Sequence, residues 1–416
     1  MRIAFLTHEP FHPPSGGGSA EAVYLVREFV RRGHAVDLFC PDFENRAAVA
    51  AEFGVTIHPF RAWKMGRYTP LRNLKYLLYP IALTKQVESV VQGPGGPGLP
   101  DLLFSQHTIA SVAAGRLNAR LNRPTVFNFL DCLTGFMETW PAWKAPRPLV
   151  RLLTQFELGM PSTYAVNGIL TVSTPLAERF VRAGFPANQI RAIQYGYDAS
   201  LFRPNPALTS QRSPNDPPVV VMHGSFDQHH LGPIARSAVA RIAAAVPGVV
   251  FRLVGKETAG LKAFVGAMRS QVPGIRIECT GFIPYASVPH QLQTADVGIV
   301  PYEPSTGTHC AFVAKAVEYL GCGLPVVSTS LENLCRHFAE EPAIRFAGFD
   351  GEAFARSVIE VLKLPRAERD RMGLAASARV EATLDWSRVT AHAAEFVESV
   401  LIPSQRANGL GSRART

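Results

Sequence analysis

The sequence lacks the features of membrane-spanning, disulfide-rich and secreted chains. Its longest apolar runs, such as Val297–Pro301 and Leu324–Val327, have the length of a strand and fall far short of a membrane span. Its six cysteines lie far apart, with no Cys-x-x-Cys pair and no Cys/His metal spacing, which predicts reduced thiols in a cytosolic protein. No signal peptide is expected, because Met1–Thr7 is a short apolar strand with one Arg and no cleavage site.

The composition is that of a globular protein with room for two domains. The 416 residues are 47% hydrophobic, too apolar for a disordered chain, and the 33 Gly and 33 Pro show no collagen-like period. Each half of such a chain can bury its own core. Of the net charge of +9, residues 1–203 contribute +7, so the N-terminal half is expected to face an anionic partner.

Two copies of a strand-turn-helix pattern divide the chain. The apolar strand Arg2–Thr7 leads into the Gly-rich loop Gly16–Ser19, an amphipathic helix and a second strand at Ala35–Cys40. After the proline-rich stretch Pro204–Pro218 the pattern restarts with Val219–Met222. Units of this kind build parallel sheets, so we predict two doubly wound α/β domains in tandem. Ligands of such sheets bind outside the carboxyl ends of the strands.

The predicted boundaries follow these composition changes. We expect an N-terminal domain at 1–203, a linker at 204–217 and a C-terminal domain at 218–383. A final helix is predicted at 384–404, and an Arg-, Gly- and Ser-rich disordered tail at 405–416.

The stretch Thr306–Ser328 carries the strongest chemical signal. A loop at 306–308 is predicted to lead into a helix that ends at Gly321 or Gly323. Lys315 and Glu318 lie three apart and therefore share one face of that helix. A cation for a diphosphate, a carboxylate for ribose hydroxyls and a helix N-terminus for an anion would suit a nucleotide-sugar. The alternative is an ordinary surface ion pair.

This stretch resembles a known family. Lys315-Ala-Val-Glu318-Tyr-Leu-Gly-Cys-Gly-Leu-Pro-Val-Val is similar to the K-x-x-E-Y-L-x-x-G-x-P-V-V signature of GT-B glycosyltransferases, especially the family 4 type. The Gly-rich loop, the segment Gln194–Pro204 and the segment Gly281–Pro301 match other parts of the family in the same order. The resemblance implies an α/β fold of the GT-B class, with two tandem Rossmann-like doubly wound domains that face each other across a cleft.

The resemblance also implies the reaction. A sugar would pass from a nucleotide-sugar held by the C-terminal domain to a glycan, lipid-linked or small-molecule acceptor held by the N-terminal domain. No metal or other cofactor is expected, and the sequence contains no Asp-x-Asp motif. The resembled fold also returns its last helix, which would begin near Trp386, to the N-terminal domain.

The resemblance assigns donor binding to residues of the C-terminal half, which are Gly224, Ser225, His230, Phe282, Thr308, His309, Cys310, Lys315 and Glu318. Three of them depart from the family. Ser225 and His230 stand where the family commonly has Arg and Lys, and Cys310 replaces the first Glu of its E-x7-E motif. The diphosphate charge would then be met by Lys315, by His229 or His230, and by the helix N-terminus.

The candidates for the acceptor side lie in the N-terminal half. Asp131 resembles the base of glucuronosyltransferase-like relatives and is predicted to be the catalytic base or an orienting group, unless it only caps a turn. This residue favours inversion whereas family 4 implies retention, so both outcomes stay open. His107 follows an apolar strand and would bind acceptor hydroxyls or be structural. Gly17 and Gly18 would let the sugar approach closely, or form a flexible turn.

Two acid-free basic stretches also contain aromatic and apolar residues. They are Arg61–Lys85 and Trp143–Arg151. Such surfaces are typical of proteins that lie on anionic membranes, so a peripheral position on the inner face of the membrane is predicted. An ordinary solvated helix is the alternative, and no motif supports nucleic-acid binding.

The best interpretation is a cytosolic hexosyltransferase. Two alternatives remain. A nucleotide-sugar epimerase on the same fold would need a carboxylate and His set that the sequence does not place, and a non-catalytic GT-B partner subunit is favoured by Ser225, His230 and Cys310.

Overall fold

The computed structural model describes residues 1–14, 17–61, 74–94, 96–210, 212–213, 215–227 and 229–401. It consists of two compact units. The first unit comprises Met1–Thr134, Ala145–Gln194 and Ser387–Thr416, and the second comprises Gly135–Lys144 and Tyr195–Trp386. The domain boundaries given above stay a prediction, and the predicted disordered tail at 405–416 lies outside the described residues.

The first unit contains a parallel sheet of seven strands in the order β3-β2-β1-β4-β5-β6-β7. The strands are β1 (Arg2–Thr7), β2 (Ala35–Pro41), β3 (Thr56–Phe60), β4 (Leu102–Gln106), β5 (Thr125–Phe129), β6 (Gly168–Thr171) and β7 (Ile190–Ala192). Phe5 of β1 lies opposite Leu38 of β2 and Phe104 of β4. These central strands are buried on both faces, which explains why they read as continuous apolar runs.

The second unit contains a parallel sheet of six strands in the order β10-β9-β8-β11-β12-β13. The strands are β8 (Val219–His223), β9 (Val250–Val254), β10 (Arg276–Cys279), β11 (Val297–Val300), β12 (Val326–Thr329) and β13 (Ile344–Ala347). In both sheets the strand order reverses next to the first strand. The reversal lies between β1 and β4 in the first unit and between β8 and β11 in the second. Such switch points are where open α/β sheets bind ligands.

Helices connect the strands. They are α1 (Gly17–Arg31), α2 (Arg46–Phe53), α3 (Lys75–Gln92), α4 (His107–Leu121), α5 (Leu133–Phe136), α6 (Arg147–Thr163), α7 (Thr174–Arg182), α8 (Pro206–Ser210), α9 (Pro233–Ala245), α10 (Ala259–Gln271), α11 (Val288–Gln293), α12 (Thr306–Cys310), α13 (Ala314–Gly321), α14 (Glu332–His337), α15 (Gly351–Lys363), α16 (Arg366–Leu384) and α17 (Trp386–Ser399). Of the helices in the described part of the chain, none combines the length and apolar character needed to cross a bilayer.

Local sequence sets several helix starts. Ser173 caps α7 by accepting the Leu176 N–H at 3.2 Å, and Asp350 caps α15 in the same way. The predicted loop at 306–308 is instead the start of the short helix α12, because Ser305 and Thr308 form a reciprocal capping box. The helix with Lys315 and Glu318 ends at Gly321.

The last helix contacts the first unit. Glu398 of α17 binds Arg32 at 2.9 Å and His34 at 2.8 Å, and both of these residues follow directly after the end of α1. A Cβ on Gly168 of β6 would lie 3.0 Å from the Phe396 ring, so the glycine lets α17 approach the sheet.

Candidate active site

The first cluster of polar residues lies at the switch point of the second unit. Strand β8 ends at His223 and is followed by Gly224, whose φ of 104° favours glycine. A Cβ on Gly224 would overlap the Lys315 side chain, so this glycine also makes room for the lysine. Gly224 and Lys315, which are expected to belong to one site although they are 91 positions apart in the sequence, are therefore in contact.

Lys315 supplies positive charge to this cluster. It is the second residue of α13, and its Nζ lies 5.8 Å from the centre of the Tyr302 ring. Burial lowers the pKa of Lys315, but the neighbouring Tyr302 and Glu318 more than offset this effect, and the net pKa is raised. The ammonium group of this half-buried lysine therefore stays protonated at neutral pH.

Glu318 is held by two side chains from distant parts of the chain. Its Oε2 lies 2.5 Å from His223 Nε2, and its Oε1 accepts a hydrogen bond from Tyr285 Oη at 2.6 Å. The carboxylate is 6% exposed. Because each carboxylate oxygen can accept a second hydrogen bond, this pairing fixes the orientation of Glu318 and leaves acceptor capacity for a ligand.

The two histidines near Lys315 have different partners. His230 Nδ1 accepts the Asp227 N–H at 3.0 Å, and its ring centre lies 4.5 Å from that of Tyr302. Burial, together with the charge of Lys315 and against the opposing charge of Asp227, lowers the pKa of His229 to about 4. His229 is therefore neutral at pH 7, and the expectation that it shares the diphosphate charge with Lys315 receives no support.

Other predicted donor residues lie in different environments. Thr308 is buried, and its Oγ1 donates to the Glu303 carbonyl at 3.0 Å, so its side chain helps to cap the start of α12. Cys310 is also buried, whereas His309 Nδ1 accepts the Glu332 N–H at 3.2 Å. Ser225 is half-buried.

Phe282 differs from these residues in its exposure. Its side chain is 81% exposed, three residues before the Tyr285 that binds Glu318. It therefore presents an aromatic face to solvent close in sequence to the cluster.

A short segment from the middle of the sequence packs in the second unit. It is Gly135–Lys144, and its Glu138 accepts the Thr306 N–H at 2.8 Å and the Thr306 hydroxyl at 2.7 Å. Gly135 and Gly307 have their backbones so close that a Cβ on either would overlap the other segment. This contact was not predicted, and in the sequence only the two glycines signal it.

The second cluster lies at the switch point of the first unit, where β1 and β4 end. Glu9 follows β1, and His107 follows β4 with a φ of 67°, which is strained for a residue other than glycine. The Glu9 carboxylate lies 3.7 Å from His107 Nε2. Burial raises the pKa of Glu9, but His107 and His8 outweigh this and hold it well below its usual value.

His107 is the basic partner of this pair. Burial lowers its pKa, but Glu9, Asp131 and Glu21 raise it above the usual value overall. A Cβ on Gly18 would overlap His107 Nε2, so Gly18 and His107, both predicted from the sequence, are in contact. Gly17 begins α1 beside them.

Glu21 on α1 completes the cluster. Its buried carboxylate accepts hydrogen bonds from Gln106 Nε2 at 3.1 Å and from Asn128 Nδ2 at 3.2 Å. Burial raises the pKa of Glu21 to about 7, against the effect of these two amides. Glu9, Glu21 and both amides were not predicted from the sequence, although each stands next to a Gly-rich turn or a strand end.

Asp131 joins the same electrostatic cluster, since its charge acts on both Glu21 and His107. The N–H groups of Leu133 and Thr134, which a turn-capping Asp131 would bind, instead donate to Glu157 at 3.0 Å each. The capping role that was the alternative for Asp131 is therefore filled by another carboxylate. Asp131 itself is half-buried.

Within the described ranges, no group of three His, Cys, Asp or Glu side chains is arranged to hold an ion.

Two family models match the chain and together cover most of it. Residues 15–201 match Glycosyltransferase Family 4, and residues 217–364 match Glycosyl transferases group 1. A comparison with curated proteins gives no match.

Solved structures show the same fold along almost the whole chain. Sucrose-phosphate synthase from Thermosynechococcus elongatus has a TM-score of 0.77 and 18% identity, over 97% of this chain and 99% of that one. HepE from Anabaena, in complex with UDP and glucose, has a TM-score of 0.69 and 18% identity, over 96% and 100%. The catalytic domain of starch synthase IV from Arabidopsis thaliana, bound to ADP and acarbose, has a TM-score of 0.69 and 11% identity, over 96% and 99%.

The two Rossmann-like units with these strand orders define a GT-B fold, as predicted from the sequence. The chain belongs to the GT-B glycosyltransferases of the family 4 kind.

Proposed function

We propose that this glycosyltransferase moves a hexosyl group from a nucleotide-sugar bound by the second unit to an acceptor bound by the first. The observation that carries the proposal is the Glu318 carboxylate, held between His223 and Tyr285 and one helical turn from the half-buried Lys315. HepE has been solved with UDP-glucose and starch synthase IV with ADP, which supports a nucleotide-sugar donor.

The residues of the cluster in the second unit have separate roles in this proposal. The leaving diphosphate gains charge as the glycosidic bond to it breaks, and a fixed cation in a water-poor site stabilises that charge. Lys315 supplies the cation, and Gly224 lets the diphosphate approach the backbone. Glu318 accepts hydrogen bonds from ribose hydroxyls with the acceptor capacity that His223 and Tyr285 leave.

The first unit supplies the acceptor side. The acceptor hydroxyl oxygen forms the new bond to the anomeric carbon, and its proton passes to the Asp131 carboxylate. Between the breaking of the bond to the diphosphate and the formation of the new bond, the sugar carries oxocarbenium character. The carboxylates around His107 stabilise this positive charge electrostatically. His107, kept close to Gly18, binds a hydroxyl of the acceptor.

The proposed reaction is independent of metal ions, since Lys315 meets the diphosphate charge that Mg²⁺ would otherwise neutralise. Transfer should therefore continue in excess EDTA. A loss of activity restored by Mg²⁺ would overturn this part of the proposal.

A thermal-shift screen with UDP-, ADP- and GDP-sugars tests the donor. A ligand that binds only the folded state raises the midpoint of unfolding. At a concentration 100 times its Kd, it increases the free energy of unfolding by about 2.7 kcal/mol. One nucleotide series should give a shift that Glu318→Ala abolishes. Lys262→Met, a change at an exposed cation of α10, is the control and should keep the shift.

This screen, followed by analysis of the products formed from the bound donor, separates the alternatives. Binding followed by slow donor hydrolysis or transfer supports the glycosyltransferase. Conversion of the bound sugar without an acceptor would show an epimerase, and an absence of any binding would show a partner subunit.

We also propose that the acceptor lies at an anionic membrane surface, which places the protein peripherally on the inner face of the membrane. Helix α6 exposes Leu149, Leu152 and Phe156 on one face and carries Arg147 and Arg151. The spacing of three and seven residues makes these side chains an apolar stripe bordered by cations, which suits a helix lying in the lipid headgroup region.

A second stripe in the same unit supports this proposal. Helix α3 exposes Leu77 and Ile81, and Lys85 follows on the same face. Residues 62–73 of the predicted basic stretch lie outside the described residues. Trp143 is 78% exposed and belongs to the segment that packs in the second unit.

Co-sedimentation with vesicles tests the membrane proposal. Binding to vesicles that contain phosphatidylglycerol should exceed binding to neutral vesicles, with about 1 kcal/mol contributed by each cation near the surface. Leu152→Ser with Phe156→Ser should weaken the binding, whereas Leu374→Ser, at an exposed leucine of α16, should not. Equal binding to both lipid compositions would show that the stripes are ordinary solvated helix faces.

A further inference from the structure

The buried carboxylate of Glu21 joins three parts of the first unit. It lies on α1 and accepts one hydrogen bond from the amide that ends β4 and one from the amide of β5. Gln106 Nε2 also donates to the Gly18 carbonyl at 2.9 Å. The start of α1 is thereby tied to the edge of the sheet where open α/β folds bind ligands.

The hydrogen-bond donors of this carboxylate are uncharged. Both are side-chain amides, and the charges that act on it come through space from His107 at the start of α4 and Asp131 after β5. His8 and Glu9 after β1 act on it through His107, which they face. A buried carboxylate without a directly bonded cation is costly to ionise, so Glu21 holds a proton up to about neutral pH, where its pKa of about 7 lies.

Ionisation of Glu21 changes the cluster around it. The new negative charge lies near Asp131 and makes that carboxylate a stronger base, and it further stabilises protonated His107. The same charge favours the positive character that develops on the sugar.

We propose that Glu21 is a positioning residue of the transfer reaction: it holds the Gly18 turn against the ends of β4 and β5, and the loss of its proton strengthens Asp131 as the base. This inference rests on the proposed function. In this inference Glu21 affects the reaction through its charge, although it contacts neither the donor nor the acceptor.

The pH profile of Glu21→Gln tests the inference. In the wild type, kcat should rise about threefold between pH 6 and pH 8, because a stronger base accelerates proton transfer. In Glu21→Gln this rise should be absent, while the donor KM stays unchanged. A variant that keeps the rise, or one whose kcat and KM change equally at every pH, would overturn the inference. Glu52→Gln, at an exposed carboxylate of α2, is the matched control.

A second measurement does not depend on activity. Because folding raises the pKa of Glu21, the stability that its proton contributes is present at low pH and is lost as the pH rises through about 7. The unfolding midpoint of the wild type should therefore fall relative to Glu21→Gln between pH 5 and pH 8. No change in this difference would overturn the inference, even if no nucleotide-sugar proved to be a donor and the proposed function failed.

Discussion

Replacement of Lys315 by Met should lower kcat/KM for transfer by about 100- to 1,000-fold, as expected when one fixed group that stabilises developing charge is removed. The methionine keeps the aliphatic stem that lies against Gly224 and Tyr302, so the loss isolates the ammonium charge. Because the diphosphate is charged in the bound donor as well, the donor KM should rise together with the loss in kcat.

The measurement is steady-state kinetics with the donor found in the thermal-shift screen. Lys262→Met removes a cation of the same type from an exposed position on α10 and should stay within about twofold of the wild type, as surface charges distant from a site do. If Lys315→Met also stayed within that range, Lys315 would have no part in binding the diphosphate. The unfolding midpoint of each variant shows whether the fold is intact.

The sequence predicted one side of each cluster and missed the other. Lys315 and Glu318 were found because they lie three residues apart on one helix, a spacing that the sequence displays directly. His223 lies 95 positions from Glu318, and Tyr285 lies 33 positions from it. Contacts over such separations depend on which strand follows which in the sheet, and that order is a property of the folded chain.

Buried acids were harder to predict for a related reason. Glu21 looks like a surface residue of an amphipathic helix until the ends of β4 and β5 are seen to cover it. The same holds for Glu157, whose carboxylate binds the turn after Asp131. Without the sheet, the sequence could assign that turn only to the nearest carboxylate, Asp131, which is why the capping alternative was kept open.

Replacement of Asp131 by Asn should lower kcat by about 100- to 10,000-fold, the range that general-base catalysis contributes, and leave nucleotide affinity unchanged. Asn has the shape of Asp but cannot take the acceptor proton. The turn that follows should persist, because Glu157 and not Asp131 binds the N–H groups of Leu133 and Thr134. Loss of activity with a normal unfolding midpoint would therefore report the proton transfer itself.

The comparison of variants sharpens this test. Asp42→Asn removes an exposed carboxylate after β2 that pairs with Arg46, and it should keep full activity. The anomeric configuration of the product adds a second readout, since a base that deprotonates the attacking hydroxyl in a single displacement gives inversion. A fully active Asp131→Asn enzyme, or one whose product retains configuration, would remove Asp131 from the role of base.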